Sequence, residues 1–172
     1  WRDQYPDTKV LSLDTGYDKP YSENPYGSYP ANYSTLFPVA FPDNRYHPKT
    51  KTLGVIFGEQ AMAFPANELF QQRVINISIA DEPLVVIYEP SAKLIAAYSR
   101  VVNGDTLEFS RVRLNAPYTT MADDATGSIW TAMGIVSEGE LAGTTLERFP
   151  FYTAYWFAWH DFYPETEVYT AP

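Results

Sequence analysis

Four carboxylates provide the first candidate site for chemistry in this sequence. Asp14 and Asp18 flank Gly16, and Asp123 and Asp124 form an adjacent pair. Hard cations such as Ca²⁺ bind carboxylate and carbonyl oxygens, so these residues are candidate calcium ligands. The spacing lacks the full pattern of a calcium-binding loop, and an Asx turn with a solvated acidic loop is the simpler interpretation. We therefore expect no cofactor, with Ca²⁺ as the one ion that this pattern would fit.

Nucleophilic and thiol chemistry have little support in the sequence. His47 and His160 are the only histidines, no Gly-x-Ser-x-Gly motif is present, and the chain has no cysteine. The absence of cysteine excludes disulfides, thiolate nucleophiles and thiolate ligands for zinc within this chain. A glycosidase needs two facing carboxylates, whose separation a sequence cannot show, so that alternative stays open. We favour a chain without catalytic residues of its own.

Aromatic side chains are the candidate binding surface. They make up 16% of the chain, and tyrosine and proline are concentrated in its first third. Such residues could contact a glycan or a protein ligand, although packing against a sheet is the commoner use of aromatic rings. The six candidates for this surface are Tyr17, Tyr21, Tyr26, Tyr29, Trp130 and Trp156.

The charge balance limits the classes of partner. The chain has 21 acidic and 12 basic side chains, and its formal net charge of −9 would repel nucleic acids and anionic lipid surfaces. No apolar run approaches the ~20 residues that span a bilayer. Asn32 and Asn76 each begin an Asn-x-Ser triplet, the acceptor pattern for N-glycosylation in an exported protein. Asn32 is the better acceptor because Asn76 lies in a predicted strand.

Sequence periodicity predicts a mainly β fold that positions these residues. We expect an extended arm over residues 1–50, a curved antiparallel sheet or barrel over 51–150, and a helix with a tail over 151–172, all in a single domain. The arm is rich in proline and tyrosine, which favour extended loop. The unbroken apolar run over residues 84–88 predicts a central strand covered on both faces.

Turn and helix signals divide the sheet region further. Asn103 and Gly104 predict a type I′ hairpin, and a second hairpin turns at Gly58. After Asn103 the alternation of apolar residues slips, which predicts a bulge at Ser110 or Arg111. The remaining predictions are a short helix over 67–72 capped by Asn67, a strand over 75–79, a turn over 81–83, a polar loop through 123–124, a strand over 145–149, and a helix over 154–162 capped by Thr153.

The two ends of the chain contain a repeated motif. Residues 1–10, WRDQYPDTKV, and residues 159–168, WHDFYPETEV, match at Trp, Asp, Tyr, Pro, Thr and Val in one register. Self-similarity at a fixed spacing is the signature of duplicated units. We therefore expect the chain to be the second half of a longer, duplicated protein.

Several segments resemble a bacterial and archaeal family known as domain of unknown function 3179, and specifically its C-terminal half. They are YPDTKVLSLDTGYDKPYSENPYGSY, HPKTKTLGVIFGEQAMAFP, DDATGSIWTAMG and GELAGTTLERFPFYTAYWFAWHDFYPETEV. The resemblance implies export, and an earlier half that carries a His followed by a Cys-Pro-x-Cys motif able to bind a metal or do redox work. In this chain Gln72 stands where the His would be, Glu89 and Ala92 replace the two Cys, and only Pro90 is kept.

These observations favour an extracytoplasmic binding or structural module. Its expected partners are the other half of its own protein or another copy, with a glycan or protein ligand as an alternative. A second interpretation is an enzyme or metal-binding domain, redox or hydrolytic, whose site lies in the missing half or at the junction near Asp14. A third is a self-assembling surface or filament subunit.

Overall fold

The computed structural model describes residues 5–112 and 118–172, which divide into two compact units. The first unit ends at Asn32, and its described part contains turns and one 3₁₀ helix, Tyr29–Ala31. This confirms the expected arm with little regular structure up to that point. Pro30 stands in the first turn of the helix, where its missing N–H costs nothing.

The second unit, Tyr33–Pro172, is mainly β. Its strands pair into open sheets, and no closed barrel forms among the described residues, so the barrel alternative is wrong. The sheet orders are β12-β1-β2-β13, β11-β10-β9-β8, β3-β4-β5 and β6-β7. All pairings are antiparallel except that of β13 with β2. The strands are β1 Lys51–Phe57, β2 Gln60–Pro65, β3 Val74–Ile79, β4 Glu82–Glu89, β5 Leu94–Ser99, β6 Val101–Val102, β7 Asp105–Thr106, β8 Phe109–Val112, β9 Thr120–Asp123, β10 Ile129–Thr131, β11 Val136–Glu138, β12 Tyr152–Tyr155 and β13 Glu167–Val168.

The core forms on both faces of the central sheet β3-β4-β5. Along β4, Val85 and Ile87 pack into a cluster with Trp130, while Leu84 and Val86 pack into a second cluster with residues of β1 and β2. Successive side chains of a strand point to opposite faces, so each face of β4 is covered by one of the other sheets. This confirms the predicted central strand.

The hairpin turns follow from residues that tolerate a positive φ. Asn103 and Gly104 have φ values of 53° and 94° between β6 and β7, which confirms the predicted hairpin. The β3–β4 turn consists of Ala80 and Asp81, with φ values of 48° and 66°. The predicted turn over residues 81–83 was therefore placed too late, because Glu82 and Pro83 already belong to β4 and pair with Ile79 and Ser78 of β3.

The irregularity after the Asn103 hairpin lies earlier than predicted. The β8–β9 ladder pairs Phe109 through Val112 without a shift, so no bulge occurs at Ser110 or Arg111. Instead Leu107 and Glu108 separate β7 from β8, and the Leu107 N–H donates to the Arg100 carbonyl at 2.9 Å. The Arg100 guanidinium donates to the Leu107 carbonyl and to the Glu108 carboxylate. These bonds hold the segment between β7 and β8 against the end of β5.

Two loop and strand predictions in the last third were wrong. Asp123 ends strand β9 rather than lying in a polar loop, because it is buried and accepts a hydrogen bond from the indole of Trp130. Residues 145–149 form only isolated bridges, Ile135 with Thr145 and Tyr98 with Arg148, because Pro150 stops further pairing.

Both helices are shorter than the sequence predicted. Helix α1 is Ala66–Leu69 with Pro65 as its N-cap, so Asn67 lies inside the helix and caps nothing. Helix α2 is Trp156–Phe162, because Thr153 belongs to strand β12 and pairs with Leu53 instead of capping the helix. No helix among the described residues is long and apolar enough to cross a membrane.

Helix α2 also holds the chain that precedes β1. The Asp161 carboxylate accepts hydrogen bonds from the backbone N–H groups of Ala40 and Phe41, at 2.6 and 2.8 Å. The indole of Trp156 donates to Asp43, and the His160 Nδ1 lies 2.9 Å from the Phe41 carbonyl oxygen. The helix therefore holds residues 40–43 through hydrogen bonds made by its side chains and not through strand pairing.

The C-terminal copy of the repeat closes the β1–β2 hairpin. Trp159 is buried, its indole donates to Thr166 Oγ1 at 3.0 Å, and the ring of Tyr163 packs on it at 4.4 Å. In the N-terminal copy the Thr8 N–H donates to the Tyr5 carbonyl at 3.1 Å, as the Thr166 N–H does to Tyr163 at 3.0 Å. The two copies thus share a backbone turn. Residues 1–4 lie outside the described residues, and the duplication stays a prediction.

The contact between Trp159 and Gly54 is the tightest in this hairpin. A Cβ on Gly54 would lie 2.1 Å from the nearest ring atom of Trp159. Forcing a methyl group into a packed core costs about 1–3 kcal/mol or more. We expect Gly54→Ala to lower the free energy of unfolding by about 3 kcal/mol, measured by urea denaturation.

A smaller residue at position 159 provides the control for this prediction. In a Trp159→Leu background the ring is gone, and Gly54→Ala should cost much less than in the native background. An equal cost in the two backgrounds would show that the indole is not the obstacle.

Candidate functional site

A cleft of about 480 Å³ lies where strands β5 and β12 approach the segment Arg148 to Phe151. Three cationic side chains line it: Lys51, Lys93 and Arg148. No carboxylate is among the lining residues. This is a concentration of positive charge in a chain with 21 acidic and only 12 basic residues.

Each cation reaches the cleft through a different local structure. Lys51 begins β1, where it pairs with Tyr155 of β12. Lys93 has φ of 50° and closes the tight turn from Pro90 that leads into β5. Arg148 is placed by its bridge to Tyr98 of β5. The fold therefore assembles the site from three distant parts of the sequence.

The three cations are not neutralised by the described part of the chain. Neither lysine nor Arg148 makes a salt bridge with another described residue. The Arg148 guanidinium lies 4.7 Å from the ring centre of Phe151, a cation–π contact. Burial raises the pKa of Tyr98, and the nearby charge of Arg148 opposes that rise only in part. The cleft is therefore an electropositive site with an aromatic wall.

A second, apolar cavity of about 580 Å³ contains two of the altered motif positions, Glu89 and Ala92. The Glu89 side chain is buried, and its carboxylate accepts hydrogen bonds from the N–H and hydroxyl of Ser91 at 2.8 and 2.5 Å and from the Thr119 N–H. Burial raises the pKa of Glu89, but these donors outweigh it and lower the pKa to about 2. This carboxylate therefore stays ionised, and its hydrogen bonds hold β4 against the start of β9.

The other altered motif position, Gln72, has a structural partner of its own. The Tyr88 N–H donates to the Arg73 carbonyl at 2.8 Å, so Gln72, which precedes Arg73, lies near the end of β4 that contains Glu89. The Gln72 side chain accepts a hydrogen bond from the hydroxyl of Tyr169. The backbone thus brings the motif positions to one end of the sheet, but their side chains bind different residues, and half-buried Pro90 supplies only the carbonyl of the following turn.

The candidate calcium ligands are divided between the two units, and calcium binding stays a prediction. Among the described residues no group of three or more His, Asp or Glu side chains could hold an ion. Burial raises the pKa of Asp123, but hydrogen bonds from Trp130 and Thr126 lower it overall. Asp124 accepts from Ser110 at 3.2 Å. Asp14 and Asp18 are exposed in the first unit, where the Asp14 N–H donates to Ser12.

The glycosylation candidates differ in their surroundings. Asn32 is exposed at the end of the 3₁₀ helix. Asn76 donates through Nδ2 to the Phe109 carbonyl at 2.7 Å and accepts from the Phe109 N–H at 2.9 Å, which joins β3 to β8. A glycan on Asn76 would have to break this pair, so the structure leaves Asn32 as the accessible acceptor.

The aromatic candidates fall into two groups. Trp130 and Trp156 are fully buried, so the expectation that they form a binding surface was wrong, because each indole is part of the core. Tyr29 is half-buried and its ring lies 6.4 Å from that of Tyr26. The exposed candidates in the first unit are Tyr17, Tyr21 and Tyr26.

One His and Asp pair occurs in the second unit. His160 Nε2 lies 3.5 Å from Asp43, and Arg45 donates to both oxygens of that carboxylate. Burial raises the pKa of Asp43, but hydrogen bonds and charge from Arg45 together with the charge of His160 lower it overall. Trp156 completes the donors to Asp43, so this pair anchors the chain before β1.

Sequence reasoning missed the cationic cleft entirely. Lys51, Lys93 and Arg148 are separated by about 40 or more residues. Lys51 and Arg148 lie in segments that carry the family resemblance, but no spacing in those segments marks them as a site. To predict this site from the sequence, one would need to know that the start of β5 and the end of β12 line the same cleft. The excess of acidic residues made each isolated cation look like part of the solvated surface.

The buried carboxylate of Glu89 makes the free energy of unfolding depend on pH in the acid range. A carboxyl whose pKa falls from 4.5 to about 2 on folding stabilises the protein fully above 4.5, and loses that contribution as the pH falls towards 2. We expect Glu89→Gln to lower the free energy of unfolding at pH 7 by about 3 kcal/mol. Urea denaturation between pH 2 and pH 7 measures the difference, which should shrink as the pH falls.

An exposed glutamate serves as the control for this dependence. Glu138 lies at the end of β11 and faces solvent. Glu138→Gln should change the free energy of unfolding by less than about 0.5 kcal/mol at every pH. A difference between native protein and Glu89→Gln that stays constant from pH 7 to pH 2 would contradict the assignment.

Comparison with known proteins gives one match. No curated protein and no solved structure matches the chain. The model of the family described as "Protein of unknown function (DUF3179)" matches residues 1–166, which is essentially the whole chain. The chain therefore belongs to this family of proteins of unknown function.

Proposed function

We propose that this chain is a non-catalytic binding module whose cationic cleft takes an anionic ligand with an apolar body. The observation that carries the proposal is the convergence of Lys51, Lys93 and Arg148 on one cleft without a carboxylate. Unneutralised cations around a concave surface are the arrangement that binds carboxylate or phosphate groups.

The net charge of the chain makes the cleft more selective. With a formal net charge of −9, most of the surface repels anions. Salt screens charges over about 8–10 Å at physiological ionic strength, so an anion inside the cleft responds mainly to the three cations beside it. The proposed ligand therefore binds by short-range contacts and loses affinity as salt rises.

The apolar part of the ligand is inferred from the wall of the cleft. Phe151 and Tyr155 line it together with Leu94. Typical ligand sites have volumes of about 300–1,000 Å³ and combine apolar walls with a few polar groups, a description that this cleft of about 480 Å³ fits. A flat apolar group can pack against these side chains while its anionic group contacts the cations.

The same lining supports binding rather than catalysis. Neither a histidine nor a carboxylate lines the cleft, so the two commonest kinds of general base are absent from it. The proposal therefore assigns this site to recognition. A location outside the cytoplasm forms part of the proposal and rests on the family resemblance alone.

Charge removal in the cleft tests this function. We expect the native protein to bind benzoate or phenyl phosphate, followed by NMR shift titration, and not benzyl alcohol, which carries no charge. In the double variant Lys51→Gln and Lys93→Gln the anion should bind at least about tenfold more weakly, equivalent to ~1.4 kcal/mol. Comparison of the two anions identifies whether carboxylate or phosphate is preferred.

A variant that keeps both charges is the matched control. Lys51→Arg with Lys93→Arg should retain affinity within about threefold, because the guanidinium also donates to oxyanions. Equal binding of the anions and benzyl alcohol, or no binding of any of them, would overturn the proposed function.

A further inference from the structure

The cationic cleft runs along an open edge of a sheet. Strand β12 pairs with β1 on one side and has no strand on its other side among the described residues. The residues Thr153 and Tyr155 of β12 also line the cleft. An open edge presents unpaired N–H and C=O groups, which can pair with another extended chain.

The hydrogen-bond pattern identifies which backbone groups are free to do so. The Trp156 N–H donates to the Thr50 carbonyl at 2.9 Å. Because groups along an antiparallel strand alternate in direction, Ala154 then faces β1 while Thr153 and Tyr155 face away from it. The N–H and C=O of Thr153 and the N–H of Tyr155 therefore point to the side of the cleft, while the Tyr155 carbonyl accepts the first hydrogen bond of helix α2.

The opposite wall of the cleft is a second interrupted edge. In β5 the Ser99 N–H donates to the Glu147 carbonyl, and the Phe149 N–H donates to the Ala97 carbonyl. By the same alternation Ile95 also faces outward, but Pro150 ends the pairing segment before it reaches that residue. Ile95 lines the cleft, so backbone groups of two strands border the cations.

We propose that the ligand of the cleft is an extended acidic peptide segment that adds to β12 as a further strand. This inference rests on the proposed function and specifies its ligand. Main-chain hydrogen bonds to Thr153 and Tyr155 provide affinity, and carboxylate side chains of the peptide contact Lys51, Lys93 and Arg148. Peptide addition to a sheet edge uses main-chain bonds for affinity and alternate side chains for specificity.

Charge complementarity favours an acidic peptide over other occupants. The side chains of alternate residues in a strand lie on the same face, about 6.5–7 Å apart. A peptide with an acidic residue at every second position therefore presents a row of carboxylates to the cations. Basic or neutral segments would leave these three cations unneutralised, and β12 has only 4 residues, so a short segment is enough.

A rival explanation gives the same cations a protective role. Lysine on a sheet edge discourages unwanted pairing with other chains. If that were the whole role of Lys51 and Lys93, their replacement by glutamine would promote self-association and would leave no peptide affinity to lose. Sedimentation of the double variant separates this outcome from the proposed one.

The decisive test uses the full chain and the peptide acetyl-Glu-Thr-Glu-Thr-Glu-amide. We expect one-to-one binding by calorimetry, at least about tenfold tighter than benzoate, and slower hydrogen exchange at the amides of Thr153 and Tyr155. A peptide with glutamine in place of glutamate should lose most of the affinity.

Backbone methylation of the peptide tests the main-chain bonds without altering the protein. One analogue carries N-methyl groups on its glutamates and another on its threonines. Only one set of N–H groups faces β12, so one analogue should lose at least tenfold in affinity while the other binds nearly as well. Equal affinity of both analogues with the parent peptide would overturn strand addition.

A proline substitution makes the complementary test on the protein. Thr153→Pro removes an outward N–H and is tolerated on an edge strand, whereas Thr153→Val keeps the N–H as a control. Far-ultraviolet circular dichroism checks that both fold. We expect the proline variant to lose peptide binding and keep benzoate binding. Benzoate binding without peptide binding in the native protein would overturn this inference alone, and loss of both would overturn the proposed function as well.

Discussion

The burial of β4 on both faces is the constraint on which the rest of the second unit depends. Leu84, Val85, Val86 and Ile87 are all buried, and each such side chain contributes about 1.5–3 kcal/mol when it leaves water. A strand with apolar residues on both faces cannot lie on the surface, so one sheet must cover each face. The layered order, and the positions of every edge strand, follow from that requirement.

Layering of open sheets leaves edges, and the chain deals with most of them by local contacts. The 2-residue strand β13 is short, and the outer side of β5 is paired by residues 147–149 as far as Pro150. One open length lies at β12 and Ile95, which is where the cations converge. The electropositive cleft thus forms where the ladders stop.

The sequence predicted the parts of this fold that depend on local signals. Asn103 with Gly104 and the apolar run of β4 define a turn and a buried strand without reference to distant residues. Predictions failed where a distant contact decides the outcome. Asp123 becomes a strand residue because it pairs with Phe109 of β8. Thr153 becomes a strand residue because Leu53 pairs with it. The cleft belongs to this second class, since its cations meet only after three segments fold together.

Glu89 shows how a position that resembles a ligand site can become structural. A buried carboxylate without partners would cost several kcal/mol, so its presence requires donors that are already in place. Ser91 supplies two of them and Thr119 a third. Thr119 immediately precedes β9, so the Glu89 carboxylate at the end of β4 holds the start of β9, which belongs to another sheet. Both oxygens of this carboxylate therefore have partners within the chain, whereas Lys51, Lys93 and Arg148 have no salt-bridge partner among the described residues. This contrast makes the cationic cleft a better candidate for ligand binding than the altered motif.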